Sequence, residues 1–153
     1  MDMIKLSVPG SLLFRDVVLR VTASACRLMR SMAVAKQEIS REEHEFDDKV
    51  VSAIGEAFNN VAIHAYRGNA AGRVDIEFEF EFDSAALTVR LLDTGEPFDP
   101  GDGRPLDMNE LHESGMGLYI VRECMDGMSY RRGNPPTTPN VLTLTKHVAK
   151  TRA

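Results

Sequence analysis

The sequence predicts an α+β fold: a two-layer sandwich with helices on one face of a mixed, mostly antiparallel sheet. Three patterns predict it. Apolar residues recur at helical spacing over Leu12 to Met32 and again over Phe46 to Ala65. Between Arg73 and Phe82 the period switches to strict alternation. Two short β-rich segments close the chain after a third helical stretch, giving the order β-α-α-β-β-loop-α-β-β.

Ile4 to Val8 alternates weakly and ends at Pro9-Gly10, which reads as a first strand. The first helix follows, with an apolar stripe of Leu12, Leu13, Val17, Val18, Val21, Ala25, Leu28, Met29 and Met32. Ser40 precedes Glu43 at capping-box spacing and predicts the start of a second helix. Its stripe runs Phe46, Val50, Ile54, Ala57, Phe58, Val61 and Ala65, and Gly68, Asn69 and Gly72 stop it. In the next strand Val74, Ile76, Phe78, Phe80 and Phe82 take one face, and Asp75, Glu77, Glu79 and Glu81 the other. Asp83-Ser84 turns the chain into a partner strand through Leu87, Val89 and Leu91. The acidic row reads as a solvated face that protects a sheet edge. Gly95 to Ser114 carries Pro97, Pro100, Pro105, Gly101 and Gly103, too many breakers for regular structure, and a loop of that length is usually functional or disordered. Gly115 to Met125 returns to helix. Ser129 to Arg132 and Val141 to His147 read as closing strands.

Composition narrows the function classes. The 153 residues, 43% hydrophobic and 27% charged, suit one globular domain spanning 1–153. A net charge of −5 lacks the electrostatic footprint of a direct nucleic-acid binder. No apolar run reaches the ~20 residues that span a bilayer, and no signal-peptide pattern opens the chain, so a cytoplasmic protein is expected. Cys26 and Cys124 read as reduced, packed thiols. The methionines read as core filler, or alternatively as adaptable contact surface.

Three constellations can carry chemistry. Glu56 and Asn60 share a face of the second helix, at the margin of its stripe, while Asn59 points to solvent. A carboxylate can accept a proton from a nucleophile, and an amide oxygen is a hard ligand suited to Mg2+. The same pair also fits an ordinary helix boundary. Asp93-Thr-Gly95 ends a strand. An ionised Asp only accepts hydrogen bonds and so can read an amino group such as adenine's, while Gly95 admits a flat ring; a plain strand-ending turn fits as well. Gly115-Met-Gly117 opens a helix, where free N–H groups bind phosphate.

Their order within the chain resembles the Bergerat-type ATP-binding fold shared by gyrase, histidine kinases and MutL. The resemblance is strongest to the branch of small bacterial anti-sigma-factor serine kinases. Glu56 to Tyr66 resembles that branch's N-box, Asp93 to Pro100 its adenine box, Ser114 to Leu118 its second glycine box and Asn140 to Lys146 its closing strand. The resemblance implies a Mg-ATP-dependent serine kinase that phosphorylates an anti-anti-sigma (STAS-domain) partner and sequesters a sigma factor or another regulator. It implies Glu56 as general base, Asn60 on Mg2+, His64 on the phosphate side, Asp93 and Gly95 at the adenine, and Gly115, Gly117 and Leu118 at the phosphate turn. Thr143 would stand near the adenine, with Thr145 as the alternative. Residues of about 95–114 would form the ATP lid. It also implies a homodimer, with the outer side of the first helix or a sheet edge as the contact.

One departure matters. Asp93, Glu96, Asp99, Asp102, Asp107, Glu110 and Glu113 are acidic, and Arg104 alone is basic in that span. Arg104 therefore carries the lid's expected charge toward the phosphates, with weak or partner-dependent turnover as the consequence. Two other readings use the same fold: a module that regulates by sequestration alone, and a detached histidine-kinase ATPase domain.

Overall fold

In the computed structural model, residues 2–36, 43–67, 72–97 and 113–148 are described. Strands β1 (Asp2–Pro9), β2 (Arg73–Glu81), β3 (Ala86–Asp93), β4 (Gly127–Arg131) and β5 (Asn140–His147) form one sheet in the order β1-β2-β3-β5-β4. All of its ladders are antiparallel. Helices α1 (Arg15–Lys36), α2 (Glu43–Asn60) and α3 (Glu113–Cys124) pack against one face. This is the α+β sandwich the sequence predicts. The Ser40 capping box falls outside the described residues.

The registers sort the strand residues into two sets. Ile4, Phe78, Val89, Leu144 and Met128 line up across the sheet, followed by Leu6, Ile76, Leu91, Leu142 and Tyr130. This face meets Val18, Met29, Ile54 and Phe58 from the helices in one core. The next inward row is Val8, Val74, Asp93 and Asn140. Strand alternation therefore delivers two polar residues to the helix side at one end of the sheet.

The α2 stripe is buried throughout, as its spacing predicts. The α1 stripe is not. Val18, Thr22, Ala25, Cys26, Met29 and Ala33 face the core, whereas Leu12, Leu13, Val17, Leu28 and Met32 are exposed. Leu12–Phe14 forms a 3-10 turn ahead of the helix, capped by Ser11, which accepts from the Leu13 N–H at 3.3 Å. The stripe's Val18, Ala25 and Met29 are core as expected; the rest of the inward line is Cys26, Ala33 and Thr22, whose hydroxyl donates to the Val18 carbonyl at 2.7 Å. Those small or polar residues are missed by a pattern that counts large apolar side chains. Met29 and Met125 are core residues, while Met3 and Met32 are exposed, so the methionines serve both ways.

The acidic row of β2 has a different role from the expected one. β2 is an interior strand, paired with β1 and β3. Its outward carboxylates meet cations on both neighbours: Glu79 pairs with Arg90 at 2.6 Å and is buried, and Glu77 lies 3.8 Å from Lys5. These are cross-strand partners rather than edge protection.

Arg30 clasps α1 to α2. Its Nε and Nη2 donate to the two carboxylate oxygens of Asp47, both at 2.7 Å, with the side chains only 16% and 20% exposed. Beside them the Cys26 thiol is pushed up to about 12 by burial and by Asp47, against the opposing pull of Arg30. It stays protonated and packs as a small apolar group, in line with its sequence reading. Arg30→Ala is expected to cost about 2 kcal/mol of unfolding free energy, because it leaves Asp47 half-buried and unpaired. Arg20→Ala breaks the fully exposed pair with Asp16 and should change stability by less than about 0.5 kcal/mol. Urea denaturation of both variants checks the contrast, and equal losses would show that the clasp has no special role.

Candidate functional site

The site grows from the C-terminal half of α2. After Asn60 the α-helix widens into a π-helical turn over Val61–Ala65, a distortion found most often at functional sites. Tyr66 ends the turn and fastens it to the sheet. Its ring lies against the backbone of Gly10 and Gly72, where any added Cβ would stand within 2.3 Å of it. Its hydroxyl donates to the Arg73 carbonyl at 2.5 Å and accepts from the Thr94 N–H at 2.9 Å. One phenol therefore locks the end of α2 to the start of β2 and the end of β3.

Asp93 closes β3 and is 4% exposed. Its Oδ1 accepts from the Gly95 N–H and from Asn140 Nδ2, both at 3.0 Å. No described residue donates to Oδ2. Burial pushes the Asp93 carboxyl above its ordinary range, and the hydrogen bonds from Asn140 and Gly95 offset part of that rise. Gly95 packs directly on the π turn. A Cβ there would meet the Ala65 carbonyl oxygen at 2.6 Å, and the Glu96 N–H donates to that same oxygen at 2.9 Å. Only glycine fits this approach.

One to two turns earlier on α2 stand Asn60 and Glu56. Asn60 is 8% exposed, yet its carboxamide has no hydrogen-bond partner among the described residues. A buried amide left unpaired costs about 1–3 kcal/mol, so it points to a ligand. Glu56 is half-buried and likewise has no described partner. Gly117 lies over both: a Cβ added there would sit 3.1 Å from Glu56 Oε2 and 3.6 Å from Asn60 Oδ1. α3 begins at Glu113, so Gly117 is already inside the helix. Its contribution is the missing side chain that lets α3 close on the polar pair. Gly115 falls in the first turn, where helix N–H groups have no intrahelical acceptor. Leu118 is half-buried behind them.

Glu56 and Asn60 stand on α2, and Ala65, which lies against Gly95 at the Asp93 corner, ends the π turn that continues it, so one continuous helical segment carries both groups of residues. Two cavities open beside the corner. One of about 560 Å3 is lined by Tyr66, Thr94, Gly95 and Pro135 among others, and one of about 400 Å3 by Ile63, His64, Arg67, Glu96 and Pro97. His64 is exposed and belongs to that mouth, not to the core. Arg67 pairs with Glu96 at 2.6 Å across the same opening.

The structure therefore brings Glu56, Asn60 and Gly117 together, and joins Asp93, Gly95 and the π turn that carries His64. It does not bring Thr143. In β5 the residues facing the helices are Asn140, Leu142 and Leu144, whereas Thr143 pairs with Arg90 and Ser129 on the opposite face. Thr145 shares that outer face, opposite Thr88. A period of two makes this unavoidable once Leu142 and Leu144 are core. Asn140 stands where Thr143 was expected, directly across from Asp93. Its signal was present in the inward alternation of the closing strand, counted back to its first residue. Asn59 is another miss: it accepts from Arg15 Nε at 2.9 Å and ties α2 to α1 instead of facing solvent. Arg104 and most of the expected lid, residues 98–112, lie outside the described residues. Among the described residues no group of three or more His, Cys, Asp and Glu is placed to hold a metal ion.

Comparison with known proteins agrees with this geometry. The family profile described as "Histidine kinase-like ATPase domain" matches residues 19–146, which include α2, the Asp93 corner, α3 and β5. The chain belongs to the histidine kinase-like ATPase family. It is 32% identical over 107 residues to the anti-sigma F factor of Bacillus licheniformis, covering 69% of this chain and 72% of that protein. The anti-sigma F factor of Bacillus subtilis is 31% identical over the same shares. The serine-protein kinase RsbW of Staphylococcus aureus is 28% identical over 145 residues, covering 88% of this chain and 87% of that one. No described helix of this histidine kinase-like ATPase chain is long and apolar enough to cross a membrane.

The Asp93 corner carries a stability consequence. The folded state holds the proton on Asp93 more tightly than the unfolded chain does, because burial raises its pKa. Ionised Asp93 therefore costs stability at neutral pH, and the cost fades as pH falls through the raised folded pKa toward the ordinary carboxylate range. Asp93→Asn is expected to make the ligand-free protein more stable at pH 7 by about 1 kcal/mol. The gain should shrink toward pH 4, as read by denaturation at both pH values. A destabilised variant at pH 7 would show that the carboxylate's hydrogen bonds outweigh its burial.

Proposed function

We propose that this chain is a Mg-ATP-dependent protein serine kinase that acts as an anti-sigma factor. In this reading it phosphorylates a serine of an anti-anti-sigma, STAS-domain partner and sequesters a sigma factor or a similar regulator. The observation that carries it is a pair of buried polar groups left unsatisfied among the described residues: the Asn60 carboxamide under Gly117, and the Oδ2 of Asp93. The names of the relatives, anti-sigma F factor and serine-protein kinase, support the same assignment.

The donor set fits the ligand. Asp93 Oδ2 is an acceptor in a dry corner, suited to the amino group of adenine, with Gly95 backbone beside the ring. Asn60 offers a carboxamide oxygen suited to Mg2+, which favours oxygen ligands and keeps several waters. Such an ion supplies charge neutralisation on the phosphate oxygens when bound. Glu56, next to Asn60 and half-buried, accepts the proton of the incoming serine hydroxyl. His64 at the cavity mouth takes the phosphate side. Gly115, Gly117 and Leu118 bring the start of α3 over the polyphosphate, and Arg104 supplies the cationic group of the lid, residues about 95–114. Chemistry of this kind rests on positioning and charge stabilisation. The whole chain, 1–153, acts as one catalytic domain in this reading. A homodimer belongs to it as well, with the exposed Val17, Leu28 and Met32 of α1, and Leu13 of the turn before it, as one available contact face.

Labelled ATP incubated with the chain and a STAS-domain protein tests the assignment. Acid-stable label on the partner is expected. An acid-labile product would make the chain a histidine-directed kinase component, and no label with retained partner binding would make it a sequestering module. Glu56→Gln should keep ATP affinity within about twofold and slow transfer by about a hundredfold or more, the range of a lost general base. Transfer at the unmodified rate would remove Glu56 from that role. Arg104→Ala should slow single-turnover transfer by about tenfold or more, as loss of a phosphate-directed cation does; an unchanged rate argues against a lid cation at that position.

A further inference from the structure

We propose that Asn140 is a positioning residue that makes the Asp93 corner select adenine over guanine, by occupying one carboxylate oxygen and leaving a single acceptor for the base. The inference rests on the reading of Asp93 as the base-recognising group.

Three contacts fix the Asn140 amide. Nδ2 donates to Asp93 Oδ1 at 3.0 Å and to the Gly95 carbonyl at 3.1 Å, and Oδ1 accepts from the Gly133 N–H at 2.8 Å. Both neighbours of Nδ2 are acceptors and the neighbour of Oδ1 is a donor. The amide therefore has one orientation, since a flipped amide would set oxygen against oxygen. Asn140 is fully buried, so no water competes for these bonds. The Gly95 N–H donates to the same Asp93 oxygen at 3.0 Å. Among the described residues Oδ1 thus has two donors and Oδ2 none.

A carboxylate with both oxygens free recognises guanine well. It accepts two parallel hydrogen bonds, from the ring N1–H and the exocyclic amino group, in the manner of any planar bidentate donor. Adenine offers one exocyclic amino group and no ring N–H beside it. It needs a single acceptor. Holding Oδ1 on Asn140 and Gly95 removes the bidentate option and keeps the single one. The Gly133 contact fixes Asn140 to the β4–β5 connection, and Asp93 cannot turn about its Cβ–Cγ bond without breaking both hydrogen bonds to Oδ1. Asn140 touches Asp93 and not the base edge, so its effect runs through the orientation of the carboxylate.

Titration of ATP and GTP with Mg2+ into the full chain, the Asn140→Leu variant and the Asp93→Ala variant tests this. Leu has nearly the shape of Asn without its donor or acceptor. The unmodified chain is expected to prefer ATP. Asn140→Leu should narrow the ATP-to-GTP preference by about tenfold, the scale of one charged hydrogen bond, with GTP binding more tightly than before. A purely architectural role weakens both nucleotides together and leaves the ratio in place, which would overturn the proposal while sparing Asp93. No ATP preference in the unmodified chain, and no effect of Asp93→Ala, would overturn the reading of Asp93 itself. If Asn140→Leu does not fold, 15N NMR of the unmodified chain decides. Slow solvent exchange of the Asn140 side-chain amide protons without nucleotide is expected, and exchange at the rate of an exposed amide would overturn the proposal.

Discussion

A carboxylate kept out of water at the end of β3 is the constraint to which this molecule is fitted. Asp93 sits in the inward row of the sheet, where strand alternation elsewhere delivers Val8 and Val74. A charge there needs donors, and two hold it: the backbone N–H of Gly95, and the Asn140 amide, which the Gly133 N–H fixes in turn. Gly95 can make its contact only because Ala65 lies against it. Ala65 is in position only because α2 ends in a π turn that Tyr66 pins to both β2 and β3. The corner is a closed chain of dependencies, each step short enough that a single methyl group would open it.

The second polar group follows the opposite logic. Asp93 is over-determined on one oxygen, whereas Asn60 has no described partner at all. Burial of an unpaired amide lowers stability, and a sequence selected for stability alone would place an apolar residue there. The neighbours on α2 show that alternative in place, since Ala57, Phe58 and Val61 are all core. Gly117 makes the same point from α3. Glycine inside a helix costs about 1 kcal/mol relative to Ala, and here it lets α3 come close over Glu56 and Asn60. Two local sacrifices that face each other where α3 meets α2 are intelligible when a ligand uses the polar pair.

Much of this was legible because the relevant residues sit on strong periods. The α2 stripe and the β2 alternation each fix a face, and Glu56, Asn60 and Asp93 take their places from those faces. What was not legible depended on pairing between segments. The resemblance put Thr143 near the adenine by its place on the last strand, but only the register with β3 shows that it faces outward and that Asn140 meets Asp93. The acidic row of β2 reads as a solvated edge until β1 and β3 are placed on either side and bring Lys5 and Arg90 against it. On α1 the inward line was only partly legible: Val18, Ala25 and Met29 mark it, but Thr22, Cys26 and Ala33 do not, and Leu13 of the preceding turn and Val17 face out. Periodicity identifies which residues share a face, and tertiary pairing decides what that face meets.

The charge distribution then constrains how such a site can work. The described mouth holds His64 and an Arg67 already paired with Glu96, and the chain as a whole carries −5. Repulsion between a polyanionic ligand and this surface is screened beyond about 8 Å at physiological ionic strength but not within the cleft. In the proposed function the attraction comes from short-range elements: the N–H groups at the start of α3, an ion held at Asn60, the Arg104 of the lid, and a cation added by a docked partner. On the proposed function, a site assembled this way would bind its anion weakly by itself and more firmly once a partner closes over it. Dependence on the partner's charge would then couple recognition to chemistry without any separate switch in the fold.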